Sequence, residues 1–326
     1  MIKTNPFILF VSFLFIVLAG CKERNELYPP PPWANYFFEK PGILSRPVTA
    51  IFETNDHYTW FGSQDNKGLL FNDGYGWKQF DLTSTGINFD SVTAIVQDGN
   101  GLTWIAWKAG LATYNGTSFN VIPQFEGMKV TSVCVQGIGI VWIGLDGNQQ
   151  TGGLAKYENG NWTFYHPAPG DLPSSHIRSL AFDFDQQLWI GTSDHGVIRY
   201  NGHSWTEYSS AWLGSDPGTI NSLAVDTAGI VWAGTSTSCL LKFSNAGASI
   251  LNSGTLKPIN SIVASHDGTI WMGTGGAGIL TYRNGKWTGY TSSNAYLPVD
   301  NVLTMSVNKG GKILSSLSDG HVIYFK

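Results

Sequence analysis

Five residues of this sequence have side chains whose chemistry suits the binding of a small ligand. They are Trp107, Asp146, Asn148, Asp194 and His195. An aromatic ring beside carboxylates and an amide can hold a sugar or a peptide, and a histidine can titrate near neutral pH. Each alone is more often a solvated loop residue, so the prediction depends on the fold bringing them together. They predict non-covalent recognition of a glycan or another small ligand, without catalytic residues, a metal site or a cofactor.

Seven copies of one sequence unit must position these residues. The units begin at Val48, Val92, Val130, Ile177, Ile220, Ile259 and Val302. A tryptophan follows twelve residues after each start in six units, and Leu314 takes that place in the seventh. By subtraction, the units follow one another at intervals of 38 to 47 residues. A period of this size predicts a propeller or a solenoid and implies that most of the aromatic residues are structural.

The fourth unit shows the pattern of one repeat most clearly. It contains four short runs with strand character, Ile177–Phe182, Leu188–Thr192, Val197–Tyr200 and Ser204–Tyr208. The third and fourth runs are joined through Asn201-Gly202, which predicts a type I′ hairpin turn. Four antiparallel strands repeated seven times, without helical periodicity, predict an all-β chain that folds as a seven-bladed β-propeller.

Two other residue types recur in several of the units. A glycine two residues after the tryptophan is expected to let the adjacent backbone come close, and an aspartate is expected to cap the turn between the first two strands. The glycines are Gly62, Gly144, Gly191, Gly234 and Gly273, and the aspartates are Asp98, Asp183, Asp226 and Asp267.

The two ends of the repeat region are complementary. The seventh unit stops after its third strand, near Tyr324. Trp33 precedes Val48 by 15 residues, the spacing by which other fourth-strand tryptophans precede the next unit. We therefore expect residues 33–38 to supply the outer strand of the last blade and to close the ring, so that the propeller occupies residues 33–326.

The first 32 residues have a different character. Residues 1–20 contain Lys3 and an apolar run from Phe7 to Leu18, which is typical of a signal peptide. The run ends in Leu-Ala-Gly-Cys21, which resembles a bacterial lipobox and predicts lipidation of Cys21; the alternative is a plain secretory signal with an incidental cysteine. Residues 21–32 include four consecutive prolines and are expected to form a tether. The predicted location is the bacterial cell envelope, on its periplasmic or cell-surface face.

Composition excludes some partners. The formal net charge is −4 and charged residues make up 13% of the chain, so no basic surface favours nucleic acid. Cys134 and Cys239 lie in different units, and we expect small buried side chains rather than a disulfide. The sequence predicts a monomer that meets a membrane only through its lipid anchor, and whose partner is a glycan, a small molecule or another envelope protein.

The repeat resembles that of the two-component regulator propeller family. Ile220–Thr235 and Ile259–Thr274 match its pattern of Ser-Leu, Asp, Gly and Trp-x-Gly-Thr most closely. In that family such repeats form the periplasmic sensing regions of hybrid histidine kinases. The resemblance implies extracytoplasmic recognition or scaffolding, whereas a signalling domain is not expected here because the repeats account for the chain after the tether.

Enzymatic propellers offer a further alternative. Streptogramin lyases have related repeats, but they carry Trp-Phe-Thr-Glu where this chain has Trp-Ile-Gly-Thr or similar, and no paired His and Glu stands out. Ser265–Trp271 approaches the Asp-box of sialidases, although its Asp and Gly are adjacent. Three hypotheses stay open: a ligand-binding or sensing module, a scaffold that docks another envelope protein, and a lyase or hydrolase.

Propellers usually bind ligands at the mouth of the central channel. The loops expected there connect strands two and three of a blade or lead into strand one. The first set contains Gln64, Asp65, Lys67, Trp107, Lys108, Asp146, Asn148, Gln149, Asp194, His195, Asp319 and His321, and the second contains Arg46, Asp90, Lys129, His176, Asp216 and Asp300. The loop from Asp146 to Gly153 is longer than its counterpart in the fourth unit, which favours a functional role for it.

Overall fold

Seven four-stranded antiparallel sheets form the blades of a propeller. The computed structural model describes residues 32–35, 47–64, 68–244, 247–251 and 257–325. Strand β1 (Trp33–Asn35) belongs to the last blade. Blade 1 contains β2 (Val48–Glu53), β3 (Thr59–Ser63), β4 (Leu69–Asn72) and β5 (Trp77–Phe80). Blade 2 contains β6 (Val92–Gln97), β7 (Thr103–Trp107), β8 (Gly110–Tyr114) and β9 (Phe119–Val121). Blade 3 contains β10 (Val130–Gln136), β11 (Ile140–Leu145), β12 (Gly153–Glu158) and β13 (Asn161–Tyr165).

The remaining blades follow the same order. Blade 4 contains β14 (Ile177–Phe182), β15 (Leu188–Thr192), β16 (Val197–Tyr200) and β17 (Trp205–Tyr208). Blade 5 contains β18 (Ile220–Val225), β19 (Val231–Thr235), β20 (Leu240–Ser244) and β21 (Gly247–Leu251). Blade 6 contains β22 (Ile259–Ala264), β23 (Ile270–Thr274), β24 (Ile279–Arg283) and β25 (Lys286–Tyr290). Blade 7 contains β26 (Val302–Val307), β27 (Ile313–Leu317), β28 (Val322–Phe325) and β1. Helices α1 (Leu82–Thr85) and α2 (Ser210–Leu213), and a 3-10 turn at Pro123–Phe125, lie between blades.

The predicted fold class is confirmed, and so is the closure of the ring. Each of the seven predicted starting residues begins the first strand of a blade. Strand β1 pairs with β28, with Trp33 opposite Phe325, and the Trp33 indole Nε1 donates a hydrogen bond to the carbonyl of Ala295 at 2.7 Å. First strands contact one another around the ring, including β26 with β2. Residues 36–38 of the predicted closing segment lie outside the described residues.

The tryptophans of the second strands lie in the core between blades. Trp60 and Trp104 are each 1% exposed, because the second strand is covered on both faces. The Trp104 indole donates to the buried carboxylate of Asp98 at 3.0 Å, and the same bond joins Trp189 to Asp183 and Trp232 to Asp226, each at 2.8 Å. The aspartates therefore satisfy a buried indole as well as the turn predicted for them.

The hairpins between third and fourth strands take two forms. Asn159-Gly160 and Asn284-Gly285 have positive φ at both residues, as a type I′ turn requires. Asn201 does not, so the prediction of this turn type at Asn201-Gly202 was wrong. There Tyr200 pairs with Trp205, which leaves a four-residue loop, and the Asn201 carboxamide oxygen accepts from the backbone of His203 and Ser204. The longer loop removes the need for φ > 0 at asparagine.

The glycines after the tryptophans make room for a side chain of the next blade rather than for backbone. A Cβ built on Gly234 would lie 2.5 Å from Cγ2 of Ile259, the first residue of the following unit. Gly62, Gly191 and Gly273 face the starts of their following units in the same way. Close packing between blades thus depends on the absence of a methyl group at this position.

We expect Gly234→Ala to lower the free energy of unfolding by about 1–3 kcal/mol, because the added methyl overpacks a buried interface. Urea denaturation measures this change. Gly76→Ala is the matched control, since a Cβ at Gly76 would meet no atom within 4 Å; equal effects of the two substitutions would contradict this account of the packing.

Candidate functional site

The second residue of each first strand lines one end of the central channel. The seven residues are Thr49, Thr93, Thr131, Arg178, Asn221, Asn260 and Leu303. Together with Gln64, Ser91, Val92, Lys108 and Lys129 they surround a cavity of about 520 Å³, which we call the channel mouth. This volume lies within the range of small-molecule sites.

Polar side chains at the channel mouth join neighbouring blades. The hydroxyl of Thr49 donates to the Val92 carbonyl at 2.6 Å, and Asn260 Nδ2 donates to the Val302 carbonyl at 2.8 Å. Thr93, Thr131 and Asn221 make corresponding bonds to the next blade. Arg178 and Leu303 occupy the two remaining places, and the Arg178 side chain instead turns toward Asp146, at 3.5 Å.

Three cationic side chains from consecutive blades meet at this opening. Lys108 follows the second strand of blade 2, Lys129 precedes blade 3, and Arg178 lies on the first strand of blade 4. Among the described residues that line the cavity, none is a carboxylate. The lining therefore combines positive charge with hydroxyl and amide groups, an arrangement that attracts an anion and can hydrogen-bond to it.

Asp146 organises the cations at the side of the channel mouth. Its carboxylate accepts hydrogen bonds from the Lys129 ammonium and from His176 Nδ1, the latter at 2.8 Å, and its side chain is 16% exposed. Burial acts to raise the pKa of Asp146, but the hydrogen bonds from Lys129 and His176 and the charges of Lys129 and Arg178 outweigh it and lower the pKa below 3.8. Asp146 is therefore a fixed anion that orients the cations.

We expect Asp146→Asn to lower the free energy of unfolding at neutral pH by about 1–2 kcal/mol, because charged hydrogen bonds are lost. A carboxyl whose folded-state pKa is lowered stabilises the fold above its unfolded pKa, and this stabilisation disappears as the pH falls through the folded-state pKa. The difference between variant and wild type, measured by urea denaturation, should thus be constant down to about pH 4 and shrink below it. Exposed Asp56→Asn is the control; a difference that grows in acid would contradict the assignment.

The structure brings together some of the five predicted site residues. Asp146 contacts His176, and Asp194 accepts a hydrogen bond from the Ser174 hydroxyl at 2.6 Å, so the two carboxylates bracket the same segment, 174–176. His195 lies between Asp194, at 3.8 Å, and Glu207, at 3.3 Å. These residues border blade 4 beside the channel mouth but do not line its cavity.

Asn148 and Trp107 have structural roles. The Asn148 carboxamide oxygen accepts hydrogen bonds from the backbone of Gln150 and Thr151 at 2.8 and 3.0 Å, and so shapes the long loop predicted as functional. Trp107 is 6% exposed and packs edge-to-face on Phe89, with ring centroids 5.3 Å apart. Trp107 does not line the channel-mouth cavity, and its role in binding stays a prediction.

Lys108 and Lys129 were predicted at the rim of the channel, whereas Arg178 is a lining residue that was not predicted. Side-chain alternation along the strand predicts this position. The second residue of each unit points away from the blade interior and therefore faces the channel. Of the other named positions, Arg46, Asp65 and Lys67 lie outside the described residues, as does Cys21. Cys134 and Cys239 are both free thiols.

No group of three or more His, Cys, Asp or Glu side chains in the described part of the chain could hold a metal ion. Nor does any helix among these residues have the length and apolar character needed to cross a membrane.

Comparison with solved structures supports the propeller fold. The extracellular domain of a candidate hybrid two-component system from B. thetaiotaomicron superposes with a TM-score of 0.77 at 20% identity, over 91% of this chain and 41% of that one. Virginiamycin B lyase from Staphylococcus aureus gives a TM-score of 0.71 at 12% identity, over 90% and 97% of the two chains. PorZ, a surface component of the type-IX secretion system of Porphyromonas gingivalis, gives 0.67 at 15% identity, over 88% and 47%.

These identities establish a shared fold alone, and the chain spans about two fifths of the length of the extracellular sensor domains. No curated protein sequence matches the chain. Residues 171–194, which lead into blade 4 and include its first two strands, match the sequence model of the two component regulator propeller family. The match identifies one repeat of this type, at residues 171–194, in a chain whose described residues form a seven-bladed β-propeller.

Proposed function

We propose that this chain is a non-catalytic ligand-binding or sensing propeller that takes an anionic small ligand, an acidic glycan, at its channel mouth. The observation that carries the proposal is the convergence of Lys108, Lys129 and Arg178 on one cavity of about 520 Å³. Asp146 pairs with two of these cations from outside the lining, which leaves Lys108 without that counter-charge.

The neutral lining favours a sugar acid over a simple inorganic anion. Thr49, Asn221 and Asn260, from blades 1, 5 and 6, add hydroxyl and amide groups to the lining. A uronic acid has a carboxylate for the cations and a ring of hydroxyl groups for these donors and acceptors, so it uses both parts of the cavity.

The same proposal places the propeller outside the cytoplasm, held to a membrane by a lipid on Cys21. The lipobox-like sequence before Cys21 supports this location, as does the likeness to domains described as extracellular. We expect Cys21→Ser to move the protein from the membrane fraction to the soluble fraction of a cell extract. Retention of this variant in the membrane fraction would contradict lipid anchoring at Cys21.

A thermal-shift screen tests the proposed function. The purified protein is heated with uronic acid oligosaccharides, neutral oligosaccharides, peptides and divalent metal ions. Since a ligand at 100 times its dissociation constant stabilises the folded state by about 2.7 kcal/mol, a raised melting temperature with the acidic sugars is expected. A shift confined to neutral sugars or to metal ions, or no shift at all, would contradict the proposal.

A further inference from the structure

Six of the seven blades place an aromatic side chain at one position of the fourth strand. It is the fourth-strand residue that pairs with one of the last two residues of the third strand. The pairs are Trp77 with Asn72, Phe119 with Tyr114, Trp162 with Tyr157, Trp205 with Tyr200, Trp287 with Tyr282 and Trp33 with Phe325. In blade 5 the residue opposite Phe243 is Ala248. This blade alone, among the seven, lacks a ring at the position.

The aromatic side chain normally fills the outer end of the interface with the preceding blade. Trp162 of blade 3 packs on Trp104 and Phe125, with ring centroids 6.1 and 4.7 Å away. Trp205 of blade 4 packs on Tyr165 of blade 3 at 6.1 Å. A tryptophan here thus closes the gap that two diverging blades leave between their outer strands.

Without such a ring, blade 5 leaves a groove against blade 4. The groove, which we call the blade-5 notch, has a volume of about 310 Å³. Its aromatic and apolar walls are Trp189, Tyr208, Trp212, Val231, Phe243 and Ala248. The rings of Trp189 and Tyr208 are stacked on each other, 5.7 Å apart at 12°, and this packing holds the aromatic wall in place.

A polar group in the notch lacks a partner. The Arg199 guanidinium lies over the rings of Trp189 and Tyr208, 5.7 and 5.9 Å from their centroids. Its Nε is buried and has no hydrogen-bond partner. A buried donor left without a partner destabilises the fold, so an incoming group that brings an acceptor gains binding energy from this atom.

The entrance to the notch carries exposed aromatic surface. Phe184 is 67% exposed and lies against Gly229, and Trp212 is 52% exposed and meets Tyr208 edge-to-face at 4.9 Å. Both residues line the notch. Large exposed rings around a pocket are typical of sites where one aromatic anchor of a partner is held.

We propose that the blade-5 notch binds a tryptophan side chain presented by a segment of a partner protein, whose backbone carbonyl accepts the hydrogen bond of Arg199 Nε. The chain itself fills the equivalent place with tryptophan in five blades and phenylalanine in one. The notch therefore lies where an indole packs in five other blades, and a peptide supplies the carbonyl beside it. This interface is independent of the ligand at the channel mouth.

Ala248→Trp is the central test, because it supplies the missing ring from within the chain. The probes are indole, a tryptophan-containing pentapeptide and the same peptide with alanine, each titrated against the purified protein by NMR. We expect saturable binding of indole and of the tryptophan peptide to wild type, at least tenfold weaker binding of the alanine peptide, and at least a tenfold loss of affinity in Ala248→Trp.

Ser249→Trp is the matched control, since Ser249 is the next residue of β21, is exposed and faces the other way. It should bind the probes like wild type. Ala248→Phe, which copies the phenylalanine that blade 2 has at Phe119, gives the same test with a smaller ring if the tryptophan variant does not fold. Absence of saturable binding to wild type, or unchanged binding in the filled variants, would overturn the site. Binding of indole without the peptide would overturn the assignment to a protein partner.

Discussion

Replacing Trp33 with alanine is expected to lower the free energy of unfolding by about 2–4 kcal/mol, somewhat less than the full cost of deleting a buried tryptophan because Trp33 is half-buried. Trp33 packs against the core between blades 6 and 7, and its indole bonds the Ala295 carbonyl. It also anchors β1, a strand of three residues that pairs the start of the described propeller with its last strand. Loss of the Trp33 side chain should therefore destabilise all four strands of blade 7.

Hydrogen exchange distinguishes closure from ordinary packing. In Trp33→Ala, amide protection should fall along β28 and β27, whereas Trp287→Ala removes the same residue type from blade 6 without opening the ring. Tyr75→Ala, a fully exposed aromatic, controls for loss of a surface ring. Wild-type protection of β28 in the Trp33 variant would show that the Trp33 side chain is not what holds β1 in blade 7.

Replacing Arg178 with glutamine is expected to weaken binding of an acidic oligosaccharide about 10- to 100-fold. A hydrogen bond to a charged group contributes about 1.5–3 kcal/mol, and each 1.4 kcal/mol is a factor of ten in affinity. Arg178 is the channel-mouth cation that lies on a first strand, so the backbone fixes it more firmly than the two loop lysines. Isothermal titration calorimetry measures the change.

The matched control for Arg178→Gln is Lys286→Gln, which removes one positive charge from the exposed outer strand of blade 6. It should leave the affinity within about twofold, because charges beyond a Debye length of about 10 Å are screened at 0.1 M salt. If both variants lost affinity equally, the ligand would be responding to net charge and the site would lie elsewhere.

The fold could be predicted from the sequence because its determinants repeat. The offset from Val48 to Trp60 recurs in five of the other six units, and each occurrence places a strand start and a core indole in the same relation. The structure of a unit that departs from the repeat is harder to predict. Residues 244–251 contain no tryptophan, but only the pairing of Phe243 with Ala248 reveals that a groove takes the place of the ring in blade 5.

The candidate site was predicted less well, since function lies where the repeat varies. Trp107 ends its second strand beside a loop, but it is buried like the rest of that strand and does not line the channel-mouth cavity. Arg178 was not predicted, because the channel mouth was expected to consist of loops. One position of each of the seven first strands also lines it. Side-chain alternation along those strands would have revealed it.

The most direct test of the central proposal compares one acidic ligand with its neutral counterpart. A uronic acid oligosaccharide and the same oligosaccharide with its carboxyl groups reduced to alcohols are titrated calorimetrically into the wild-type protein. The account predicts that the acidic form binds at least tenfold more tightly, and that its affinity falls as salt rises. Equal affinity of the two forms, or binding of neither, would contradict recognition of an acidic glycan by Lys108, Lys129 and Arg178.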